Sequence, residues 1–354
     1  MQVAPGDLVL LRGGPAAAPL LTALYKLAVL RGGHVHTHIV LPGLEEFFMR
    51  QASMEQVRFI SPIEHLVADK YQKFISIMSE DNTHSMAGAP PERQVERARA
   101  WEPLMRREME REAAGELKWV VSLFPTQAYA QDADMSLEEY EDFVYGACLP
   151  EPADPIGYWE RFARYQEAWV KWLDGRRRVH ILGRDTDLTF SVEGRKFINC
   201  DGKNNFPDGE IYTGPVEDSV NGTVRFTFPA IEAGREVDNV WLRFEAGRVV
   251  EAKADKGEAF LHKMLDTDAG ARRLGEFAIG TNAGIQRFTK NVLFDEKIGG
   301  TFHLALGRSY PDSRGQNESA IHWDMVCDLR PGGEIRVDDV LIHKDGKFTF
   351  DPSV

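Results

Sequence analysis

Residues 8–41 open with Leu8-Val9-Leu10-Leu11-Arg12-Gly13-Gly14-Pro15, continue through the apolar stretch Ala16 to Leu30, and reach a second run, His34-Val35-His36-Thr37-His38-Ile39-Val40-Leu41. Two short apolar runs flanking a helical length of chain read as strand, helix, strand, the unit from which parallel sheets are built. Further strand-like runs follow at Phe74 to Met78, Trp119 to Phe124 and Val179 to Leu182. Helices fit between them. Ser136-Leu137-Glu138-Glu139 is a capping box opening a helix to about Cys148. Trp159, Phe162, Ala163, Trp169, Val170 and Leu173 recur at helical spacing until Gly175 ends the pattern. Pro103 should break or kink the polar helix that starts near Glu92. Residues 1–183 are therefore assigned to a doubly wound, mainly parallel α/β scaffold domain.

From about Arg184 the texture changes to period-two runs and tight turns, as in Val224-Arg225-Phe226-Thr227-Phe228 and Val240-Trp241-Leu242-Arg243-Phe244. Asp345-Gly346 is a two-residue hairpin turn. Residues 184–354 are assigned to a β-rich α+β catalytic domain, and 354 residues suit two domains at about 150 each. With 43% hydrophobic and 27% charged residues, disorder and fibrous repeats are excluded. A net charge of −13 repels nucleic-acid phosphates and anionic lipid. The basic groups Arg106, Arg107, Arg111 and Arg176 to Arg178 lack interleaved aromatics, so neither nucleic acid nor membrane is an expected partner. Three scattered cysteines, Cys148, Cys200 and Cys327, with no signal-peptide pattern, make the cytoplasm the expected location.

The first strand–helix turn, Arg12-Gly13-Gly14-Pro15-Ala16, is neither a dinucleotide fingerprint nor a P-loop, so nucleotide chemistry is not expected there. His34, His36 and His38 alternate toward one strand face but have no carboxylate cluster nearby, and read as scaffold. The chemistry concentrates later. His322 and Asp324, two apart on a strand, project from one face as a shared ion requires. His303 lies in Gly300-Thr301-Phe302-His303-Leu304-Ala305-Leu306-Gly307, while Pro207-Asp208-Gly209-Glu210 and Leu274-Gly275-Glu276 each set a carboxylate beside a glycine. Glu210, Glu276, His303, His322 and Asp324 offer enough nitrogen and oxygen ligands for two divalent cations, zinc, cobalt or manganese, sharing a bridging carboxylate. Two other uses remain open on the residues alone. His303, His322 and Asp324 also make the two-histidine, one-carboxylate set of a mononuclear Fe(II) ring-cleaving dioxygenase, and a non-catalytic binding protein with a structural metal is the third reading.

These segments resemble the M29 metallopeptidase family, the thermophilic aminopeptidase T group, along nearly the whole chain. The resemblance rests on Phe124-Pro125-Thr126-Gln127-Ala128-Tyr129-Ala130, Met135 to Phe143, Pro207 to Glu210, Leu274 to Glu276, Phe294-Asp295-Glu296, His303 to Gly307 and His322 to Asp324. It implies a metal-dependent aminopeptidase acting on peptides with a free N-terminus, two metals on Glu210, Glu276, His303, His322 and Asp324, a catalytic Tyr310 and a homodimer. Gly299-Gly300-Thr301-Phe302 departs from the small polar residues usual in the family before the histidine. Of the ligands, Glu276 is the carboxylate expected to pass a proton to the leaving amine.

Overall fold

A computed structural model describes residues 1–232 and 234–352. The chain divides into two compact units, residues 1–144 with 203–206, and residues 145–202 with 207 onward.

The first unit holds a parallel five-stranded sheet in the order His34–Ile39, Leu8–Gly13, Lys73–Met78, Lys118–Leu123, Asn205–Phe206. Val9, Leu11, Ile75 and Ile77 are buried with Ala17 and Leu21 of the first crossover, as a parallel sheet covered by helices requires. The capping box forms: Ser136 N–H donates to Glu139 at 2.8 Å and Glu139 N–H to Ser136 Oγ at 3.2 Å. The helix Pro91–Ala113 runs through Pro103 unbroken. One lost backbone hydrogen bond is tolerated there while the Arg106–Glu102 pair, 2.7 Å, spans the proline. Arg111 of the basic group is buried and donates to the carbonyls of Ala68 and Tyr71, a structural role.

The second unit begins earlier than residue 184. The Val179–Leu182 run, assigned above to the parallel sheet, is the strand Arg178–Gly183, and it pairs antiparallel with Thr186–Ser191 and Glu334–Val337. Only Arg184 and Asp185 separate it from the next strand, too short a link for a parallel crossover, and Asp185 adopts the φ of +53° that such a turn needs. The helix Pro155–Leu173 lies in this unit as well, with Trp169 and Leu173 in one core with Val179, Ile181, Leu188 and Phe190. An eight-stranded sheet contains these strands, and the Asp345-Gly346 turn joins its last two. Among the described residues no helix is long and apolar enough to cross a membrane.

A five-stranded sheet follows in the order His322–Asp328, Thr301–Gly307, Leu274–Gly280, Glu210–Thr213, Ile198–Cys200, antiparallel throughout. Thr301–Gly307 and Leu274–Gly280 are buried at every residue. Phe277, Ile279, Phe302, Leu304, Leu306, Trp323 and Met325 enter the apolar core. With a period of two, the residues between them, Glu276, Ala278, His303, Ala305 and Asp324, share the opposite face.

Candidate metal centre

Strand register assembles that face. Glu210 stands opposite Gly280, and Tyr212 opposite Ala278. Ala278 is paired with His303 and Ala305 with Glu276, while on the other side Ala305 pairs with Asp324 and Gly307 with His322. The positions between the ligands are thus alanine or glycine, which leaves the polar side chains room to converge. Two glycines are dictated by close approach. A Cβ on Gly275, where the register shifts just before Glu276, would lie 2.2 Å from the Arg308 carbonyl oxygen. Gly209, at φ +134°, would place one 2.7 Å from Asn282 Cβ.

All five expected ligands meet. They form two groups whose ligand atoms lie within 4.8 Å of one another, Glu210 with Glu276 and His303, and Glu276 with His322 and Asp324. Glu276 belongs to both: Oε1 is 3.4 Å from His303 Nε2, and Oε2 is 3.4 Å from His322 Nε2. Glu210 Oε2 is 3.3 Å from His303 Nε2 and Asp324 Oδ2 is 3.5 Å from His322 Nε2. His322 Nδ1 lies 2.7 Å from the Arg308 carbonyl, which can only accept, so Nδ1 carries the proton and Nε2 faces the acids.

The residues fit metal ions on their own hydrogen bonding. Glu210 Oε2, Glu276 Oε2 and Asp324 Oδ1 are buried oxygens without a hydrogen-bond partner, a costly state for carboxylates unless a cation meets them. The electrostatics show the same strain. Burial opposes charging of both imidazoles, yet the hydrogen bond to Glu276 and the charges of Glu210, Glu296 and Asp324 raise His303 to about 9. In His322 burial is likewise outweighed, by the Asp324 charge and then by Glu276, which raises it to about 10. Burial, reinforced by the Glu296 charge, pushes Asp324 well above the usual carboxylate range. Glu276 ends at about 2, because the two imidazoles bonded to it overcome its burial.

Tyr310 follows the strand bearing His303, and its ring centroid lies 4.7 Å from that of His322 and 5.7 Å from that of Tyr212. Burial and the charges of Glu276 and Asp324 raise its phenol, so it remains a neutral donor. His34, His36 and His38 lie on the edge strand of the first unit, mostly exposed, and among the described residues belong to no group able to hold a metal.

Sequence reasoning missed Glu296, Lys297 and Asp208 as parts of this centre. Lys297 is 1% exposed, with Nζ 3.2 Å from Glu210 Oε1 and paired with Glu296. Asp208, also buried, is raised to about 7 by burial against the opposing charge of Lys297. Asp208 stood in a quoted motif and Glu296 in another, but an adjacent Glu-Lys pair ordinarily signals a solvated surface, and only burial distinguishes this one.

Comparison with known proteins gives a consistent picture. The profile of a family described as thermophilic metalloprotease (M29) matches residues 1–348. Aminopeptidase T of Thermus aquaticus is 31% identical over 307 residues, 75% of this chain and 72% of that protein. Aminopeptidase T of Thermus thermophilus is 30% identical over 317 residues, 77% of this chain and 73% of that one. The solved structure of wild-type AmpT from Thermus thermophilus superposes with a TM-score of 0.84 at 23% identity, covering 98% of this chain and 95% of that one, a likeness of fold.

Proposed function

The chain belongs to the thermophilic metalloprotease family M29, and from that premise we propose that it is an aminopeptidase releasing N-terminal residues from peptides, with two divalent cations held by Glu210, Glu276, His303, His322 and Asp324. The observation that carries the two-ion reading is the placing of Glu276 between two ligand groups, one buried and one partly exposed, with one oxygen toward each imidazole. Charge supports it. The five carboxylates Asp208, Glu210, Glu276, Glu296 and Asp324 and the single ammonium of Lys297 leave four negative charges when ionised, the amount two divalent cations supply. Zinc, cobalt and manganese all accept such nitrogen and oxygen ligands.

Two cations there would polarise the scissile carbonyl and lower the pKa of an attacking water. The Tyr310 phenol donates to the oxygen that gains charge as the carbonyl is attacked. Glu276 is the carboxylate that takes up the water's proton and passes it to the leaving amine in this reading, on a lone pair that cation binding leaves free. The carboxylate-rich pocket favours a substrate end bearing a free amine over an acylated one. Apolar side chains left exposed on the first unit, among them Leu27, Leu30, Ile39, Leu41 and Phe47, support association into a homodimer. A cytoplasmic location agrees with three free cysteines.

The dioxygenase reading loses support because His303, His322 and Asp324 do not form one ligand group among the described residues; His303 sits with the two glutamates instead. A structural metal would favour a closed cysteine and histidine shell, unlike these carboxylates. The test is metal content combined with substrate choice. Two equivalents per chain, cleavage of aminoacyl amides in anaerobic buffer and rejection of their N-acetyl forms are expected. One iron and oxygen uptake would overturn the proposal.

A further inference from the structure

Lys297 is a cation already built into one of the two pockets. Its backbone is pinned, since Asn282 N–H donates to the Lys297 carbonyl at 3.0 Å while the Asn282 side chain donates to the Asp208 carbonyl at 2.7 Å. The short helix Val292–Asp295 that leads into it is fixed as well. Asp295 accepts from Thr289 N–H at 2.7 Å and Thr289 Oγ1 at 2.9 Å. The ammonium thus has little freedom to leave. It engages one oxygen of Glu210, Oε1 at 3.2 Å, while the other, Oε2, faces His303. No lysine or arginine pairs with Glu276 or Asp324 among the described residues.

We infer that Lys297 competes for Glu210 and holds down the cation affinity of the Glu210–Glu276–His303 pocket, so that this ion is the exchangeable one and its occupancy follows the free metal concentration. A divalent cation on Glu210 shares that carboxylate with a fixed positive charge, which repels it and leaves it one oxygen rather than two. Lys297 is a positioning residue here: it touches a ligand and no reacting atom. The inference rests on the two-ion reading and goes beyond it, because it names what makes the pockets unequal.

The test is titration of the full-length, metal-free protein with Co²⁺ at fixed pH, followed by visible absorption and by metal content after equilibration at buffered free metal. Glu210→Gln and His322→Ala assign each binding step to its pocket. Lys297→Met should tighten the Glu210 step by about tenfold or more, because it removes a like charge beside the bound cation, and leave the His322 step in place; a weakened Glu210 step would mean that Lys297 orients the ligand and would overturn the inference. Lys297→Arg, which keeps the charge, should leave the Glu210 step near the wild-type affinity. In a Glu210→Gln background Lys297→Met should change nothing. Lys297→Gln repeats the measurement with a polar, uncharged side chain should the methionine variant fail to fold by circular dichroism. A Lys297→Met or Lys297→Gln titration that superimposes on wild type overturns the inference, even if two ions bind. Wild type binding one equivalent while Lys297→Met binds two would uphold it and overturn the two-ion reading of the wild-type enzyme. One equivalent in both would overturn both.

Discussion

Metal uptake by the emptied centre should be strongly pH-dependent. In the metal-free protein His303 is raised to about 9 and His322 to about 10, so near neutrality both imidazoles carry a proton that a cation must displace. Each pH unit below such a pKa costs ~10-fold in apparent affinity, or ~1.4 kcal/mol. Near pH 7 protonation therefore weakens both pockets, by on the order of two decades or more. Asp324, raised by burial and Glu296, gives up a further proton. Isothermal titration of zinc into metal-free protein, in buffers of equal pH and different ionisation enthalpy, should therefore show about two or three protons released for two ions near pH 7. Affinity should climb about tenfold per unit between about pH 6.5 and 8.5. A flat profile with no proton release would refute the assignment of these histidines as ligands.

The same shifts have a sign for stability. A histidine raised on folding stabilises fully below its unfolded value of about 6.5, and that contribution is lost as pH rises through the folded value. The metal-free protein should accordingly melt at lower temperature as pH goes from about 6.5 to about 9 and beyond, and loading with metal should flatten that slope.

Five variants probe the centre and its surroundings. Glu276→Gln should empty both pockets, whereas Glu210→Gln and Asp324→Ala should each release one ion, as read by metal analysis. Tyr310→Phe should lower kcat by about 10²-fold with metal content and KM little changed; normal turnover would remove the phenol from the mechanism. The combined His34→Ala, His36→Ala, His38→Ala variant should keep wild-type metal content and turnover, because those side chains lie on an edge strand of the first unit, and loss of a metal equivalent would show otherwise.

Much of this was readable in the sequence because it depends on period and on residue type. The parallel unit announced itself through alternating runs such as Leu8 to Leu11 and Phe74 to Met78. His322 and Asp324 had to share a strand face whatever the tertiary structure. What the sequence withheld depends on burial and on pairing. Val179 to Leu182 is as apolar as a parallel strand, and only the length of the link at Arg184-Asp185 betrays its antiparallel partner. Glu296-Lys297 looks like a surface ion pair until the helix Val292–Asp295 carries it inward. The place of Glu276 in both ligand groups could not be read at all, since it comes from cross-strand register, which sets Ala305 opposite both Glu276 and Asp324.

Regular pairing from Glu276 to Ile279 explains how one carboxylate comes to belong to both ligand groups. The irregularity lies just before it, at Gly275, which no side chain can occupy beside the Arg308 carbonyl, and Glu276 stands in step opposite Ala305. Ala305 is also the partner of Asp324 on the next strand. A small residue thus lies between the two acids, with His303 two residues before it and Gly307, the partner of His322, two residues after it, all on one face. The backbone does the arranging, through one glycine, one alanine and antiparallel register, and the charged side chains follow with the opposite face already committed to the apolar core.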